Sequence, residues 1–450
     1  MSSHFAEGNG ATGHLLKMVQ SNLRGKGVGI YSICSANRFV LEAGIQEAKA
    51  DESLMCIEST SNQVNQFGGY MGMTPAQFAS YIKQVASDLA FPQVRMILGG
   101  DHLGPHVWQR EPAAVAMAKA RELVRSCVLA GYSKIHLDAS MRCADDPDRE
   151  DEALDEQIVT ERTAELCVVA EQAYAEVSSD HPAPVYVIGT EVPIPGGEQA
   201  GESEPTVSRI EDVQRTLSLT QAAFAARNLQ SAWERVIAVV VQPGVEFGDA
   251  AVFDYRREKA KELSAHIERN WNLVYEAHST DYQLPEALQQ MVEDHFAILK
   301  VGPWLTFAFR EAIFALELIA EELLANTMER TLPGVREALD NAMIDNPEHW
   351  KRYYHGEDLY LRLARRYSYS DRSRYYWPVP PVQGALARLL ESLSSRSIPL
   401  TLLSQYLPSQ YEAVRRGSLP NNPASLLRDK VQQVLAVYAR ACGMQPTKTG

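Results

Sequence analysis

Along the chain, short apolar runs alternate with longer stretches in which apolar residues recur every three to four positions. The short runs read as strands and the long stretches as helices, because side chains repeat faces every 2 residues in a strand and every 3.6 in a helix. Gly27–Ser35 (GVGIYSICS) opens the series, followed by a helical pattern through Phe39, Val40, Ala43, Ile45 and Ala48. The next strand is Leu54–Thr60, and its helix starts at Thr74-Pro75, a capping residue before a proline at the first helical position. Met96–Asp101 with helix Glu111–Ala130, Lys134–Ser140 with Glu156–Glu176, and Val185–Val192 with Arg209–Ala226 continue the alternation. Arg235–Gln242 (RVIAVVVQ) is nearly all apolar, as a strand buried on both faces is, and precedes helix Tyr255–Arg269. Asn272–Ser279 with Pro285–Asp294 and Phe296–Gly302 with Leu305–Leu324 complete the set.

Eight strand-helix units over about 300 residues predict an α/β chain folded as a (β/α)8 TIM barrel, in preference to a doubly wound open sheet. The expected division is an N-terminal tail at 1–26, variable or disordered over its first dozen residues, the barrel at 27–325, and a C-terminal helical extension at 326–450 packed on it. Helical stretches in the extension include Gly384–Leu393 and Leu426–Ala441, separated from the barrel by an aromatic, Arg-rich segment. With 450 residues, 45% hydrophobic and 22% charged, one large domain plus an extension is the natural reading. A net charge of -14 argues against nucleic-acid or anionic-membrane partners, so the aromatic and Arg-rich segment reads as packing or a subunit interface. The six cysteines lack CxxC spacing and sit mostly in apolar segments, as free thiols do in a reducing compartment. With no apolar run near the ~20 residues of a membrane span and no secretory pattern at the start, a cytoplasmic location is expected.

The chemistry gathers at the strand ends. Ile97-Leu98-Gly99-Gly100-Asp101-His102 runs from apolar residues through two glycines into an acid and an imidazole. In such a barrel the site is built from the C-terminal ends of strands, so residues distant in sequence face one another. Those ends carry Ser32 and Ser35; Glu58, Ser59 and Asn62; Asp101 and His102; His136, Asp138 and Ser140; Glu191; Gln242 and Glu246; Glu276, His278 and Asp281; and Lys300. Two histidines with one or two carboxylates suit a divalent ion such as Zn2+ that keeps a position open for substrate. The expected metal ligands are His102, Glu246 and His278. Asp101 is placed to move a proton on a substrate hydroxyl, with Glu191 as a second acid-base candidate. Ser35, Glu58, Asn62, His136, Asp138, Gln242, Asp281 and Lys300 are expected to face substrate, His136 serving as a further ligand or simply holding Asp138. Plainer readings exist. Asp101 and His102 could satisfy loop amides, Glu191 could be a loop acid before Pro193, and Glu246, past its strand, could be solvated. His106, His266, His295, His349 and His355 read as surface or packing residues, and no run matches GxGxxG after a strand or GxxxxGK[ST].

The runs IESTSNQVNQFGGYMGMTP, ILGGDHLGP, KIHLDASMRCADDP, VIGTEVPIPGGE, VVQPGVEF, VYEAHSTDYQ and HFAILKVGPWLTFAFREAIFAL resemble the Z-type, so-called non-catalytic, subunit of tagatose-1,6-bisphosphate aldolase. HWKRYYHG, SRYYWPVP and SQYLPSQYE extend the resemblance into the extension. It implies a class II aldolase-like barrel whose relatives use Zn2+ to stabilise an enediolate, with Mn2+, Ni2+ or Co2+ as alternative ions. It also implies a sugar or sugar-phosphate substrate, an oligomer, and a role supporting a catalytic Y-type subunit in galactitol and tagatose 6-phosphate catabolism. Some relatives are described as ketose 4-epimerases. Asp101-His102 matches the acid and zinc-binding imidazole of the third strand in class II aldolases, and His278 stands for another of their metal histidines. Two departures stand out: Gln242 to Glu246 replaces a sixth-strand histidine, and Ser279-Thr280-Asp281-Tyr282 replaces a glycine-rich phosphate loop. The second removes free backbone amides and so argues against bisphosphate binding, while leaving metal and polyol binding intact.

Overall fold

The computed structural model describes residues 10–147, 154–177, 181–190, 204–324 and 334–444. Its strands are β1 (Ile30–Ile33), β2 (Met55–Thr60), β3 (Met96–Leu103), β4 (Lys134–Leu137), β5 (Val185–Ile188), β6 (Val236–Val241), β7 (Glu246–Phe247), β8 (Val252–Phe253), β9 (Val274–Ala277) and β10 (Ile298–Val301). All but β7 and β8 pair in parallel and close in the order β1-β10-β9-β6-β5-β4-β3-β2, which is the eight-stranded barrel that the sequence pattern predicts. β7 and β8 form a separate antiparallel ribbon over the barrel mouth side of the β6 connection, an insertion the periodicity did not reveal.

A helix α1 (Ala11–Leu23) precedes the barrel. The ring around it is made of α2 (Arg38–Ala50), α3 (Pro75–Asp88), α4 (Ala113–Leu129), α5 (Glu156–Glu176), α6 (Ile210–Ala226), the one-turn α7 (Gln230–Trp233), α8 (Arg257–Asn270), α9 (Pro285–Glu293) and α10 (Pro303–Leu324). Thr74 caps α3 as the Thr-Pro pair predicts: its hydroxyl accepts the Gln77 amide while Gln77 reaches back to the Thr74 amide. The extension consists of α11 (Val335–Asp345), α12 (Asp358–Tyr367), α13 (Pro380–Ser394), α14 (Leu400–Tyr406), α15 (Pro408–Arg415) and α16 (Pro423–Ala441).

The reading of residues 1–26 as a tail needs correction, since α1 lies within it. Ala11, Leu15 and Val19 recur at four-residue spacing, and this single apolar stripe packs on Ile30, Ile97, Val185, Val274 and Ile298, which begin or nearly begin their strands. α1 thus closes the N-terminal end of the barrel. Three anchors among polar residues make a weak signal in sequence, because only the barrel floor tells them what to cover.

Strand alternation then sorts the interior by height. Ile30, Cys56, Ile97, Val274 and Ile298 form the apolar floor with α1, whereas the next residues but one on four strands are Ser32, Glu58, Glu276 and Lys300. The outward partners Tyr31, Ile57, Ile135, Tyr186, Tyr275 and Leu299 enter the main core beneath the helices.

The extension is fastened at two places. α16 packs against α2, α9 and α10, where the Tyr438 hydroxyl donates to the Thr280 carbonyl at 2.7 Å and Arg428 pairs with Glu42 at 2.9 Å. At the second, the Arg310 guanidinium of α10 meets Asp371 at 2.9 Å with both side chains buried, and Thr306 and Ser373 also donate to that carboxylate. No helix among the described residues is long and apolar enough to cross a membrane. Removing one partner of a buried, hydrogen-bonded ion pair strands the other charge in the interior. Asp371→Ala is therefore expected to cost about 3–5 kcal/mol in urea unfolding and to expose the segment after α12 to limited proteolysis; a loss below about 1 kcal/mol would show that the pair does not hold the extension.

Candidate active site

Strict alternation would turn Asp101 inward and His102 outward. The structure brings both to the cavity by breaking the rhythm: against β4, Gly100 pairs with Ile135 but Leu103 pairs with Leu137, so β3 spends one extra residue there. His102 absorbs the bulge with φ of 50°, a left-handed conformation that costs a non-glycine residue energy. The following glycine answers to space alone, since a Cβ at Gly104 would lie 1.6 Å from the Asp138 carbonyl oxygen.

Four buried side chains converge above the strands. Asp101, His102, His136 and His278 each present one donor atom within 4.8 Å of the others. Neighbours hold each ring by its other nitrogen. His102 Nδ1 lies 2.8 Å from Asp138, His136 Nδ1 lies 3.0 Å from Asp101, and His278 Nε2 lies 3.0 Å from Glu276. A ring nitrogen that donates to a carboxylate, as at His102 and His278, leaves its partner nitrogen with a lone pair for a metal, whereas His136 Nδ1 also faces the His102 backbone N–H at 3.2 Å. His136 Nε2 is buried and has no hydrogen-bond partner, as suits a nitrogen that would bind an ion.

Below the quartet lies a buried ion network. Lys134 bridges Glu58 at 2.7 Å and Glu276 at 2.6 Å, while Lys300 pairs with Glu58, with Asp101 at 2.9 Å and with Glu276 at 3.5 Å. Counting Glu58, Asp101, Asp138 and Glu276 against Lys134 and Lys300 leaves two negative charges with neutral histidines, which one divalent cation cancels. Burial pushes the Asp101 carboxyl up, but Lys300, His102 and the His136 hydrogen bond outweigh it and hold the group well below the usual range. For His102, burial acts downward and is overcome by Asp101 and Asp138, which raise the imidazole above its ordinary value. His278, where burial prevails, falls to about 4. Burial lowers Lys300, but Asp101, Glu276 and Glu58 lift it well above a free lysine, so it stays an ammonium.

The sequence-based candidates fall into three groups. Asp101, His102, His136, His278, Asp138, Glu58 and Lys300 form one continuous array, and the cleft above it is lined by Asn62, Asp281, Lys300 and His278. Asn62 Nδ2 lies 3.2 Å from the ring of His106, a buried histidine that burial lowers to about 4. Ser35 lines an adjoining cavity and accepts the Asn37 amide. Gln242 and Glu246 stand outside the quartet. The Gln242 side chain accepts the Gly244 and Val245 amides of its own turn, and Glu246 is carried onto the β7–β8 ribbon, where it accepts the Phe247 amide. The geometry thus puts His136 where the sequence reading put Glu246, because the Pro243-Gly244 turn lifts the chain away after β6. Glu191 lies outside the described residues. Gln63, Tyr70, Arg374 and Tyr375 also line the cleft. The first two follow the second strand end and could have been found there; the last two come from the extension, and no local pattern announces them.

The family described as D-tagatose-1,6-bisphosphate aldolase subunit GatZ/KbaZ-like matches residues 15–443. A crystal structure from Sinorhizobium meliloti 1021, described as a probable tagatose 6 phosphate kinase, is 42% identical, with a TM-score of 0.83 over 92% of this chain and 100% of that one. The YdjI aldolase from Escherichia coli K12 is 11% identical over 83% of this chain and 94% of its own, with a TM-score of 0.41. The glycerol-complexed fructuronate-tagaturonate epimerase UxaE from Cohnella laeviribosi is 12% identical over 92% and 81%, with a TM-score of 0.44. The last two are too distant to carry chemistry across.

Protein incubated with Zn2+ and passed through gel filtration is expected to keep about one ion per chain by elemental analysis, as a site of three imidazoles and a carboxylate should. His102→Ala, His136→Ala and His278→Ala should each lose it and Glu246→Gln should retain it. Loss in Glu246→Gln with retention in His136→Ala would restore the sequence-based ligand set.

Proposed function

Given that the chain belongs to the D-tagatose-1,6-bisphosphate aldolase subunit GatZ/KbaZ-like family, we propose that it breaks and remakes a ketose carbon-carbon bond itself, as a divalent-metal-dependent ketose 4-epimerase. The observation behind this reading is the complete quartet, each of its rings held by a neighbour, beside an ionised Asp101 that lines an open cleft. A chain that only braced another subunit would gain nothing from burying three imidazoles and a carboxylate with their donor atoms turned toward one another, since such burial costs desolvation.

His102, His136 and His278, with Asp101 or substrate completing the sphere, would hold an ion such as Zn2+, Mn2+, Co2+ or Ni2+. Such an ion supplies a Lewis acid for the negative charge that gathers on the C2 and C3 oxygens of a ketose when the C3–C4 bond opens. Asp101 takes the C4 hydroxyl proton as that bond breaks; the bonding pair moves toward C2, and C4 becomes an aldehyde. The C4 hydroxyl turns strongly acidic only during cleavage, so the weak base that Lys300 and His136 make of Asp101 is sufficient. After the aldehyde presents its other face the bond re-forms, and Asp101 returns the proton to give the C4 epimer. Lys300 is not the nucleophile of a Schiff-base route, since its neighbours hold the ammonium form.

The structure bears on phosphate as well. The Asp281 carboxylate accepts the Gly302 amide at 3.0 Å and the Trp304 amide at 2.8 Å, so the chain's own side chain fills the start of α10, where a phosphate would otherwise sit. This supports a substrate that places no phosphate at the start of α10.

A second reading, in which the chain supports a separate catalytic Y-type aldolase, follows the family description. The observation in its favour is the exposed apolar stripe of α12, with Leu359 at 62%, Leu363 at 43% and Tyr367 at 50% exposure, a face that a partner subunit would cover.

Incubating the metal-loaded chain alone with fructose or tagatose should yield the C4 epimer by chromatography. Asp101→Asn should lower the rate by about 100-fold or more, as loss of a positioned general base does. No conversion of any ketose, together with a rise in activity or thermal stability of a Y-type aldolase on mixing, would decide for the accessory role.

A further inference from the structure

Arg374 is the part of the cleft that the mechanism above leaves without a task. It arrives from the extension, three residues beyond the buried Asp371 anchor, and lines the cleft alongside Asp101, His102, His278 and Lys300. It also lines the adjoining cavity, which shares Cys34, Gln63 and Tyr70 with the first but includes none of the quartet. Arg374 therefore stands on the side of the cleft turned away from the quartet. Its guanidinium is held from behind by the Ser370 and Asp371 carbonyls and from the side by the Tyr375 hydroxyl at 2.9 Å, and it lies 4.5 Å above the Tyr375 ring. All three acceptors are uncharged. Among the described residues no carboxylate forms an ion pair with it, whereas Lys300, the other cation of the cleft wall, has three. A positioned arginine in a cavity wall without a paired carboxylate is built to receive a planar or tetrahedral oxyanion through two parallel N–H bonds.

The same cleft wall carries a buried carboxylate. Asp281, three residues past His278, already fills the start of α10 with negative charge. A second anionic group is thus opposed at the start of α10, which leaves Arg374 as the place on this wall that welcomes one. The neighbouring phenol reports the same potential: burial raises Tyr375, yet Arg374 and Arg372 bring it below its usual value.

We propose that Arg374 is a specificity-determining residue that binds a single oxyanion, carboxylate or phosphate, at the end of the substrate remote from its carbonyl. This assignment rests on the ketose reading of the site, but binding tests it apart from turnover. Titration calorimetry of the metal-loaded protein would compare D-fructose, D-fructuronate, which differs from it by a C6 carboxylate, D-fructose 6-phosphate and D-fructose 1,6-bisphosphate. Wild type should bind fructuronate or fructose 6-phosphate at least about tenfold more tightly than fructose, the stronger of the two identifying the oxyanion, and the bisphosphate no better than the 6-phosphate. Arg374→Gln should erase that preference while changing fructose affinity less than about twofold. Should Arg374→Gln fail to fold by circular dichroism, Arg374→Lys decides, since it keeps the charge and loses the fork: a smaller preference with fructose binding intact supports the assignment, and an unchanged preference overturns it. Equal affinity of wild type for all four sugars, or equal weakening of fructose and its anionic analogues in Arg374→Gln, also overturns it. Selective binding without any epimerisation would uphold the subsite and sink the proposed reaction instead.

Discussion

The structure depends on placing charge inside a barrel. Glu58, Lys134, Glu276 and Lys300 occupy positions where barrels of this kind usually stack branched aliphatics. Burying such groups is tolerable only because each ammonium touches at least two carboxylates, and each carboxylate at least one ammonium. The network stiffens the floor on which Asp101 and His278 stand, since Lys300 grips Asp101 and Glu276 grips His278. The network is neutral in itself, so the excess of two negative charges, with neutral histidines, comes from Asp101 and Asp138 above it. Asp101 and Asp138 raise the His102 imidazole against the pull of burial.

Local strain and global charge serve the same end. A β3 without its bulge would send His102 into the helix layer and leave the cavity with Asp101, His136 and His278 only. The left-handed turn at His102 costs energy, which the Asp138 hydrogen bond and the surrounding packing must offset. Ser279 and Tyr282, just past His278, also have positive φ, so backbone strain appears on both sides of the quartet.

The extension completes the cleft rather than merely covering the barrel. α16 fills a place against α2, α9 and α10, and the Arg310–Asp371 pair fixes the segment from which Arg374 and Tyr375 reach over the strand ends. The Tyr70 and Tyr375 rings, one from the barrel and one from the extension, meet edge to face at 4.8 Å. The cleft wall thus joins residues more than three hundred positions apart in the chain.

Read alone, the sequence determined the order of the eight barrel strands with their helices and the closed barrel; Asp101, His102, Asp138, His278 and Lys300 could be named as candidates because period-two alternation and the geometry of a closed barrel place strand ends together. Glu58 and His136, expected to face substrate, stand on the inner face for the same reason, but both are fully buried and Glu58 is taken up by the lysine network rather than by the cleft wall. Other features were decided only in three dimensions. Glu246 belonged to the pattern of strand ends until a turn after β6 carried it onto a ribbon; Lys134, at the start of its strand, stood outside that pattern, and only the fold closes two carboxylates from β2 and β9 on it. α1 looked like a tail because its three apolar anchors have meaning only against the barrel floor, and Arg374 looked like packing because the cavity it faces is built by another part of the chain. Periodicity records which face a residue takes on its own element, whereas the company it keeps there depends on bulges, turns and docking that involve residues far away in sequence.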